Sequence, residues 1–334
     1  MLLRHSDFKG LIVARARHLS RDGGVFSVAA EITNQCNLSC GFCPNPTISP
    51  NFRYFHNIDT YVQILQKIRH FFIASRKRRL VLSPCGLGEL FILPNAVEYL
   101  EAARRILPEA LIDVSSNFTC MDRDTARAVV EEKLIHTLTC SMNYSNREKY
   151  KEICGRDSLP DVFSGLDTVV DFIKKHHSGM KLYIAMKNDS SVGAEERRDF
   201  ERIAAARWGG AAHICWADVG NWGGGLDLSS FSVAPGARLK FPCYSLFQMK
   251  LFVNGVGDIF PCCCCAGAPE ATGLAALRLG NVFSSDWNSI ERQFVQIRNT
   301  HLRGEWNTLS LCAECNVYTD PKFNLFFRFG DRFF

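Results

Sequence analysis

The chain has no run of eighteen or more apolar residues, so it offers no helical span for a bilayer. Its opening stretch, MLLRHSDFKGLIVARARHLS, carries charge throughout and lacks a small-residue cleavage site, which argues against a secretory signal and leads to a cytoplasmic expectation. Internal repeats and low-complexity segments are absent, which excludes solenoid and fibrous architectures. There is also no strong charge excess: a net charge of +5 over 334 residues calls for neither nucleic acid nor a membrane surface as partner. The one basic run, Arg76-Lys77-Arg78-Arg79, lies between a helical pattern and a strand and reads as a solvated helix end. With 47% hydrophobic and 22% charged residues, the chain can bury a sizeable core and has no need to stay disordered.

Against these absences stands one excess, fifteen cysteines. Without a secretory signal they argue for metal or redox chemistry and against a disulfide framework, because cytosolic thiols stay reduced. Their placement is uneven. Cys36, Cys40 and Cys43 form a tight group near the N-terminus, and Cys243, Cys262 to Cys265, Cys312 and Cys315 fall in the last third. Cys85, Cys120, Cys140, Cys154 and Cys215 sit in apolar or strand-like surroundings and read as packing residues.

Short apolar, β-branched runs alternate with amphipathic stretches: VFSVAAEIT (25–33), RLVLSP (79–84), LIDVSSN (111–117), IHTLTCSMN (135–143), KLYIAMKN (181–188) and AHICWADV (212–219). The first intervening helix is expected to be capped by Asp59 and to bury Ile58, Val62, Leu65, Ile68 and Phe72. A second, from about residue 160, has Val162, Leu166, Val169 and Ile173 on one face. Such alternation predicts parallel βαβ units with right-handed crossovers and an α/β fold, a partial (β/α)6 TIM-like barrel. Chemistry in such folds gathers at the carboxyl ends of the strands, where the Cys36–Cys43 group lies. Alternation stops after residue 219. Asn221-Trp222-Gly223-Gly224-Gly225 and the Ser/Pro/Gly-rich stretch to Gly236 read as loop and linker. Beyond it, MKLFVN and DIFPCC flank Gly255-Val256-Gly257 and predict a β-hairpin with Cys262 at its far end. A helix over about 286–300 then buries Trp287, Ile290, Phe294 and Ile297. The expected division is an N-terminal helical extension (1–24), a core domain (25–235), and a small Cys-rich domain with hairpin, helix and tail (236–334).

Three cysteines spaced C-x3-C-x2-C can hold three irons of a [4Fe-4S] cluster and leave the fourth iron open. Tetrahedral zinc is the competing reading of closely spaced cysteines, but no fourth ligand lies nearby in sequence. The loop EITNQCNLSCGFCPNP, following a strand and with Phe42 just before its last cysteine, resembles the radical S-adenosylmethionine (SAM) superfamily. The resemblance implies that the open iron chelates SAM, which is cleaved to methionine and a 5′-deoxyadenosyl radical. Gly86-Leu87-Gly88-Glu89 resembles the family's GGE-type segment, so Gly86, Gly88 and Glu89 are expected at the cofactor's ammonium group. Asn117, Ser141 and Asn143 fall where family members reach the cofactor's ribose and carboxylate. Here Ser116-Asn117-Phe118 and Ser141-Met142-Asn143-Tyr144 stand for T-N-G and S-x-D-G. Lys187 and Met186 are further candidates, with a core Met beside a surface Lys as the plainer reading.

The last third resembles the SPASM type of auxiliary-cluster domain: Cys243, thirteen residues, Gly257, four residues, Cys262, then Cys312-Ala-Glu-Cys315. That implies one further [4Fe-4S] cluster on Cys243, Cys262, Cys312 and Cys315, with Cys263 the substitute for Cys262, and two clusters in all. The resemblance also implies a reducing partner such as flavodoxin or ferredoxin and a substrate that loses hydrogen. With no cobalamin-binding or added peptide-recognition segment evident, a sugar- or aminocyclitol-like small molecule leads and a ribosomally made peptide follows. Oxidation or epimerisation is the expected outcome, the latter needing a hydrogen-atom donor, for which Cys215 is the candidate. Asp218, Asn221 and Trp222 are expected to line the pocket. An iron–sulfur electron carrier or a zinc-binding protein is the reading from a different class.

Overall fold

The computed structural model describes residues 24–189, 191–229, 231, 243–246, 249–267 and 274–316. The N-terminal extension, the linker's 232–242 and the Phe-rich tail FNLFFRFGDRFF lie outside the described residues. All six expected core strands form: β1 (Val25–Ala30), β2 (Arg79–Ser83), β3 (Leu111–Ser116), β4 (Thr137–Asn143), β5 (Lys181–Lys187) and β6 (Ala212–Ala217). Between them run α1 (Ile58–Ser75), α2 (Ala96–Ile106), α3 (Arg123–Glu131), α4 (Arg147–Cys154), α5 (Leu159–His176) and α6 (Ala194–Trp208). Every neighbouring pair of β1 to β6 is parallel, as βαβ crossovers require.

The Cys-rich part does not stand apart from this sheet. Strand β7 (Lys250–Val253) pairs in parallel with β1, placing Val253 beside Ala30. The expected hairpin returns as β8 (Asp258–Phe260), followed by β9 (Gly280–Asn281). One sheet of order β6-β5-β4-β3-β2-β1-β7-β8-β9 therefore carries both cysteine groups. Helices α7 (Trp287–Arg303) and α8 (Ser310–Glu314) complete the described chain. The α7 stripe of Trp287, Ile290, Phe294 and Ile297 is buried as expected.

Two local expectations are corrected. Helix α1 is capped by Asn57, whose side chain accepts the Thr60 N–H, and Asp59 sits in the first turn. Its buried face, Tyr61, Ile64, Leu65, Ile68 and Phe71, is rotated by about one residue from the expected stripe. Tyr61 and Phe71 bury more apolar surface than Val62 and Phe72 do there, and each full burial is worth roughly 1.5–3 kcal/mol. The basic run is solvated as expected, with Arg76, Arg78 and Arg79 exposed.

The strands' two faces differ in chemistry. Phe26, Val28, Leu82, Ile112, Val114, Leu138, Leu182 and Ile184 are buried on the helix-facing side. The alternate positions include Ser27, Ser83, Asp113, Ser115, Thr137, Thr139 and Ser141, and none of these is buried. Register aligns Asp113 with Thr137 and Lys181, and Ser115 with Thr139 and Tyr183. The barrel's inner face is thus mixed: these polar positions share it with Ala29 and Val81, which are buried, and with Leu111, Tyr183 and Ala185.

Candidate radical SAM site

The cysteine loop leaves the carboxyl end of β1 and is clasped by the end of α4: Gly41 N–H donates to the Ile153 carbonyl (2.8 Å) and Ser39 N–H to that of Cys154 (3.2 Å). Cys36, Cys40 and Cys43 are all half-buried and near enough to influence one another's charge. Burial pushes the Cys36 thiol up to about 12 and Cys43 to about 11. Cys40 is raised further, first by its thiol–thiol contact with Cys154 and then by burial. These groups become thiolates only beside compensating positive charge, which a metal cluster supplies. Among the described residues no three His, Cys, Asp or Glu side chains converge closely enough for one ion. Three thiolates from one loop can each hold a different iron of a cubane and leave the fourth open.

Lys187 is a cation beside the loop. Its Nζ lies 4.4 Å from the Phe42 ring centroid, and its charge favours the thiolates of Cys40 and Cys43. Burial pulls its own pKa down, and those sulfurs oppose the shift. Lys187 thus faces the cysteine loop, while Met186 is buried on the opposite side of β5. Cys215 aligns with Ala185 across β5 and β6 and feels the Lys187 charge, so it shares the inner face, half-buried and with a burial-raised pKa.

The Gly86–Glu89 segment is stitched against residues 31–37. Glu31 accepts hydrogen bonds from Leu87 N–H, Gly88 N–H (2.8 Å) and the Tyr54 hydroxyl. The Asn45 amide donates to the Leu87 carbonyl (2.9 Å) and to that of Asn34 (2.6 Å), and Arg53 holds Asn45 in place through Oδ1 (2.7 Å). Glu89 N–H donates to the Gln35 carbonyl (2.9 Å). The Glu89 carboxylate is buried and accepts from Ser116 Oγ (2.9 Å), Asn117 N–H (2.6 Å) and Phe91 N–H (3.1 Å). A carboxylate offers about four acceptor positions, so Glu89 retains one for a cationic ligand while tying β3 to the loop. Burial raises its pKa and these donors oppose the rise.

Asn117 lies at the centre of this arrangement: its amide donates to Asn37 Oδ1 (2.9 Å) and points at Cys36 Sγ (3.8 Å), while its oxygen accepts from Thr119. Phe118, which stands where family members place glycine, has φ 63°. Asn143, also left-handed at φ 66°, turns its amide back onto the Ser141 carbonyl (2.8 Å), and Ser141 is half-buried on β4. The structure brings Glu89 and Asn117 to the cysteine loop and leaves Ser141 and Asn143 one strand further along. Glu31, Asn45 and Arg53 were not singled out in the sequence, and Cys154, read there as a packing residue, is buried and touches Cys40. Of the first three, only Glu31, an acid ending an apolar strand, carried a readable signal.

Glu31 has a pKa raised to about 7, chiefly by burial against the opposing pull of its donors. An acid with a raised folded-state pKa holds more protons folded than unfolded between about pH 4.5 and 7. Its contribution to stability is present below the unfolded value and is lost as pH rises through about 7, on the order of 3 kcal/mol in all. Glu31→Gln keeps an oxygen for Leu87 and Gly88 and offers an N–H to Tyr54, so urea titrations from pH 4.5 to 7.5 should lose that slope in the variant. An unchanged slope would place the titration elsewhere.

In the second cysteine group, Cys262 lies just beyond β8. Its Sγ is 3.9 Å from that of Cys265, and Cys243, Cys264 and His301 also act on it. Cys264 reaches Cys315, and Cys265 feels Cys312. Thiol donors hold Cys262 well below the ordinary thiol range and Cys263 at about 7. Burial, reinforced by Cys262 and Cys315, raises Cys243.

Residues 30–191 match the family model of the Radical SAM superfamily, and the chain carries a domain of that superfamily, whose members bind a [4Fe-4S] cluster and SAM. No curated protein matches the chain in sequence. Solved structures with a similar fold include BtrN in complex with AdoMet and 2-DOIA, at 15% identity and TM-score 0.54 over 87% of this chain and 93% of that one. Native anSMEcpe with bound AdoMet is similar at 13% identity and TM-score 0.57, covering 83% of each chain. Streptococcus suis SuiB bound to precursor peptide SuiA is similar at 14% identity and TM-score 0.57, over 93% of this chain and 74% of that one.

Proposed function

We propose that the protein is a radical SAM enzyme that removes a hydrogen atom from a small polar molecule, sugar- or aminocyclitol-like, and oxidises or epimerises it. The hydroxyl-bearing inner positions of β1 to β4 support this reading: Ser27, Ser83, Ser115, Thr139 and Ser141 offer hydrogen-bonding groups to a small polar ligand. Cys36, Cys40 and Cys43 would hold the first cluster. Phe42, Gly86, Gly88, Glu89, Asn117, Ser141 and Asn143 would surround the cofactor, with Lys187 supplying positive charge beside the thiolates. Cluster and SAM together supply the electron and the 5′-deoxyadenosyl radical that takes the substrate's hydrogen. The chain's part is to hold the cofactor's ammonium group at Glu89, orient the substrate along the hydroxyl-bearing strands and keep water from the reacting atoms.

A second cluster on Cys243, Cys262, Cys312 and Cys315 completes the reading, supported by Cys262 and Cys315 lying near enough to Cys243 to act on its charge. A flavodoxin- or ferredoxin-type protein would deliver the electron. Cys215 shares the inner face and would be the hydrogen-atom donor if the reaction is an epimerisation.

Anaerobically reconstituted protein should contain about eight irons and eight sulfides, and Cys312→Ala/Cys315→Ala should contain about half. Stoichiometric zinc with little iron would sink the proposal. With SAM and dithionite, polyhydroxylated or amino-substituted ring compounds should raise 5′-deoxyadenosine formation, whereas stimulation by peptides alone would move the substrate to the ribosomal-peptide class.

Glu89→Gln tests the ammonium contact. A charge-assisted hydrogen bond in this dry setting is worth about 1.5–3 kcal/mol, so SAM affinity should fall roughly ten- to a hundredfold with both clusters loaded. Following the reduced cluster's EPR signal during SAM titration measures it. Unaltered affinity would leave Glu89 only its structural tie to Ser116 and Asn117.

A further inference from the structure

The turn after β6 touches both cysteine groups. On one side, Trp222 Nε1–H donates to the carbonyl of Phe42, inside the first cysteine loop (3.1 Å). On the other, Asn221 and Asn316 exchange a reciprocal pair of bonds, N–H to Oδ1 in each direction (2.9 and 3.0 Å), and Asn221 Nδ2 donates to the Glu314 carbonyl (2.7 Å). The bonds to Glu314 and Asn316 bracket Cys315, and a Cβ on Gly223 would stand 3.2 Å from Leu311, the residue before Cys312.

The turn is held under strain. Trp222 has φ 50°, a conformation costly for a bulky side chain that persists only where the surroundings fix it. Gly224, at φ 88°, lies so close to α8 that a Cβ there would stand 2.6 Å from Glu314 Cβ. A solvent-exposed turn lining a pocket has no need of such packing. Trp222 spends its indole N–H on the loop, and Asn221 spends its whole amide on the 314–316 segment.

The geometry points to the Asn221–Gly225 turn as a clamp that couples the two metal centres, with Trp222 positioning the first cysteine loop and Asn221 positioning the Cys312–Cys315 segment. The inference rests on the two-cluster reading. Loading the second centre fixes Cys312 and Cys315, which fixes Asn316 and Glu314. Through Asn221 and Trp222 this settles the Phe42 carbonyl and with it the SAM-binding loop. Two sites joined by one mechanical element should show a coupling free energy.

The test is a double-mutant cycle on reconstituted full-length protein. Trp222→Phe keeps an aromatic ring and removes the N–H, and Asn221→Ala releases the other end; neither touches a cysteine. Iron is counted in each protein, and SAM affinity is read from the first cluster's EPR change. Both variants should keep about eight irons yet bind SAM about five- to tenfold more weakly. Cys312→Ala/Cys315→Ala should weaken SAM binding to a similar degree in the wild-type background and not at all in the Trp222→Phe background, a non-additivity that a purely structural residue would not produce. Wild-type affinity in Trp222→Phe and Asn221→Ala, or an equal factor in both backgrounds, would overturn the clamp. About four irons in the wild type, unchanged by the cysteine substitutions, would instead overturn the two-cluster reading.

Discussion

Replacing Cys36, Cys40 and Cys43 together by alanine is expected to abolish SAM cleavage and to remove about half of the iron. Three thiolates on one loop are what leaves a cluster with an open iron, and no other side chain near the loop can replace them as a set. Cys154 touches Cys40, but it is fully buried at the end of α4 and offers only one sulfur. The apo-protein should tolerate the change. Its three thiols are half-buried and, with raised pKa values, neutral at pH 7, so their replacement by alanine removes one sulfur atom each and no charge. Far-UV circular dichroism should therefore match that of the wild type, while 5′-deoxyadenosine formation falls below detection. Iron held by the second cysteine group should remain. Substantial cleavage by the triple variant would refute the assignment of the loop, and collapse of the fold would show that the thiols are core residues.

Much of this site could be read from the sequence because its signals are local. The strands announce themselves by period-two alternation, and the first cysteine group by spacing within eight residues of one loop. The α7 stripe and the β7–β8 hairpin were legible for the same reason. What escaped were pairings between distant segments. Nothing in LFV predicts that it adds to β1 in parallel, because parallel partners share no turn and register is set by the whole sheet. Glu31 looked like one more residue of EIT until Leu87 and Gly88, more than fifty positions on, proved to be its partners. Trp222 looked like a pocket wall or a turn, and its bond to the Phe42 carbonyl spans 180 residues. The misplaced cap of α1 is a smaller case of the same limit: Asn57 and Asp59 are both good capping types, and backbone geometry decides between them.

Gly88→Ala is expected to be the most damaging single substitution outside the cysteines. A Cβ on Gly88 would stand 2.0 Å from the Thr33 carbonyl oxygen, 2.7 Å from its carbon and 2.9 Å from Asn34 Cα. All three are backbone atoms of the segment that leads into the cysteine loop, so none can swing aside. The Gly88 backbone is itself pinned by its bond to Glu31 (2.8 Å), and its neighbour by the Glu89 bond to Gln35 (2.9 Å). Relief requires breaking these, and each lost bond that leaves a buried group unpaired costs about 1–3 kcal/mol. The expected destabilisation is roughly 3–5 kcal/mol, with SAM affinity reduced about a hundredfold or more as Glu89 is displaced. Gly86→Ala is the control. Its Cβ would meet the Glu31 carboxylate (2.7 Å) and the Phe252 ring (3.0 Å), side-chain atoms that can yield further than backbone, although Glu31 does so only by disturbing its bonds to Leu87, Gly88 and Tyr54. Urea unfolding and SAM titration of the two variants should therefore separate, Gly88→Ala losing more stability and more affinity than Gly86→Ala. Equal losses would mean that the segment's conformation, rather than the close approach to Thr33, makes glycine necessary. Wild-type behaviour in Gly88→Ala would mean that this backbone contact does not hold the loop.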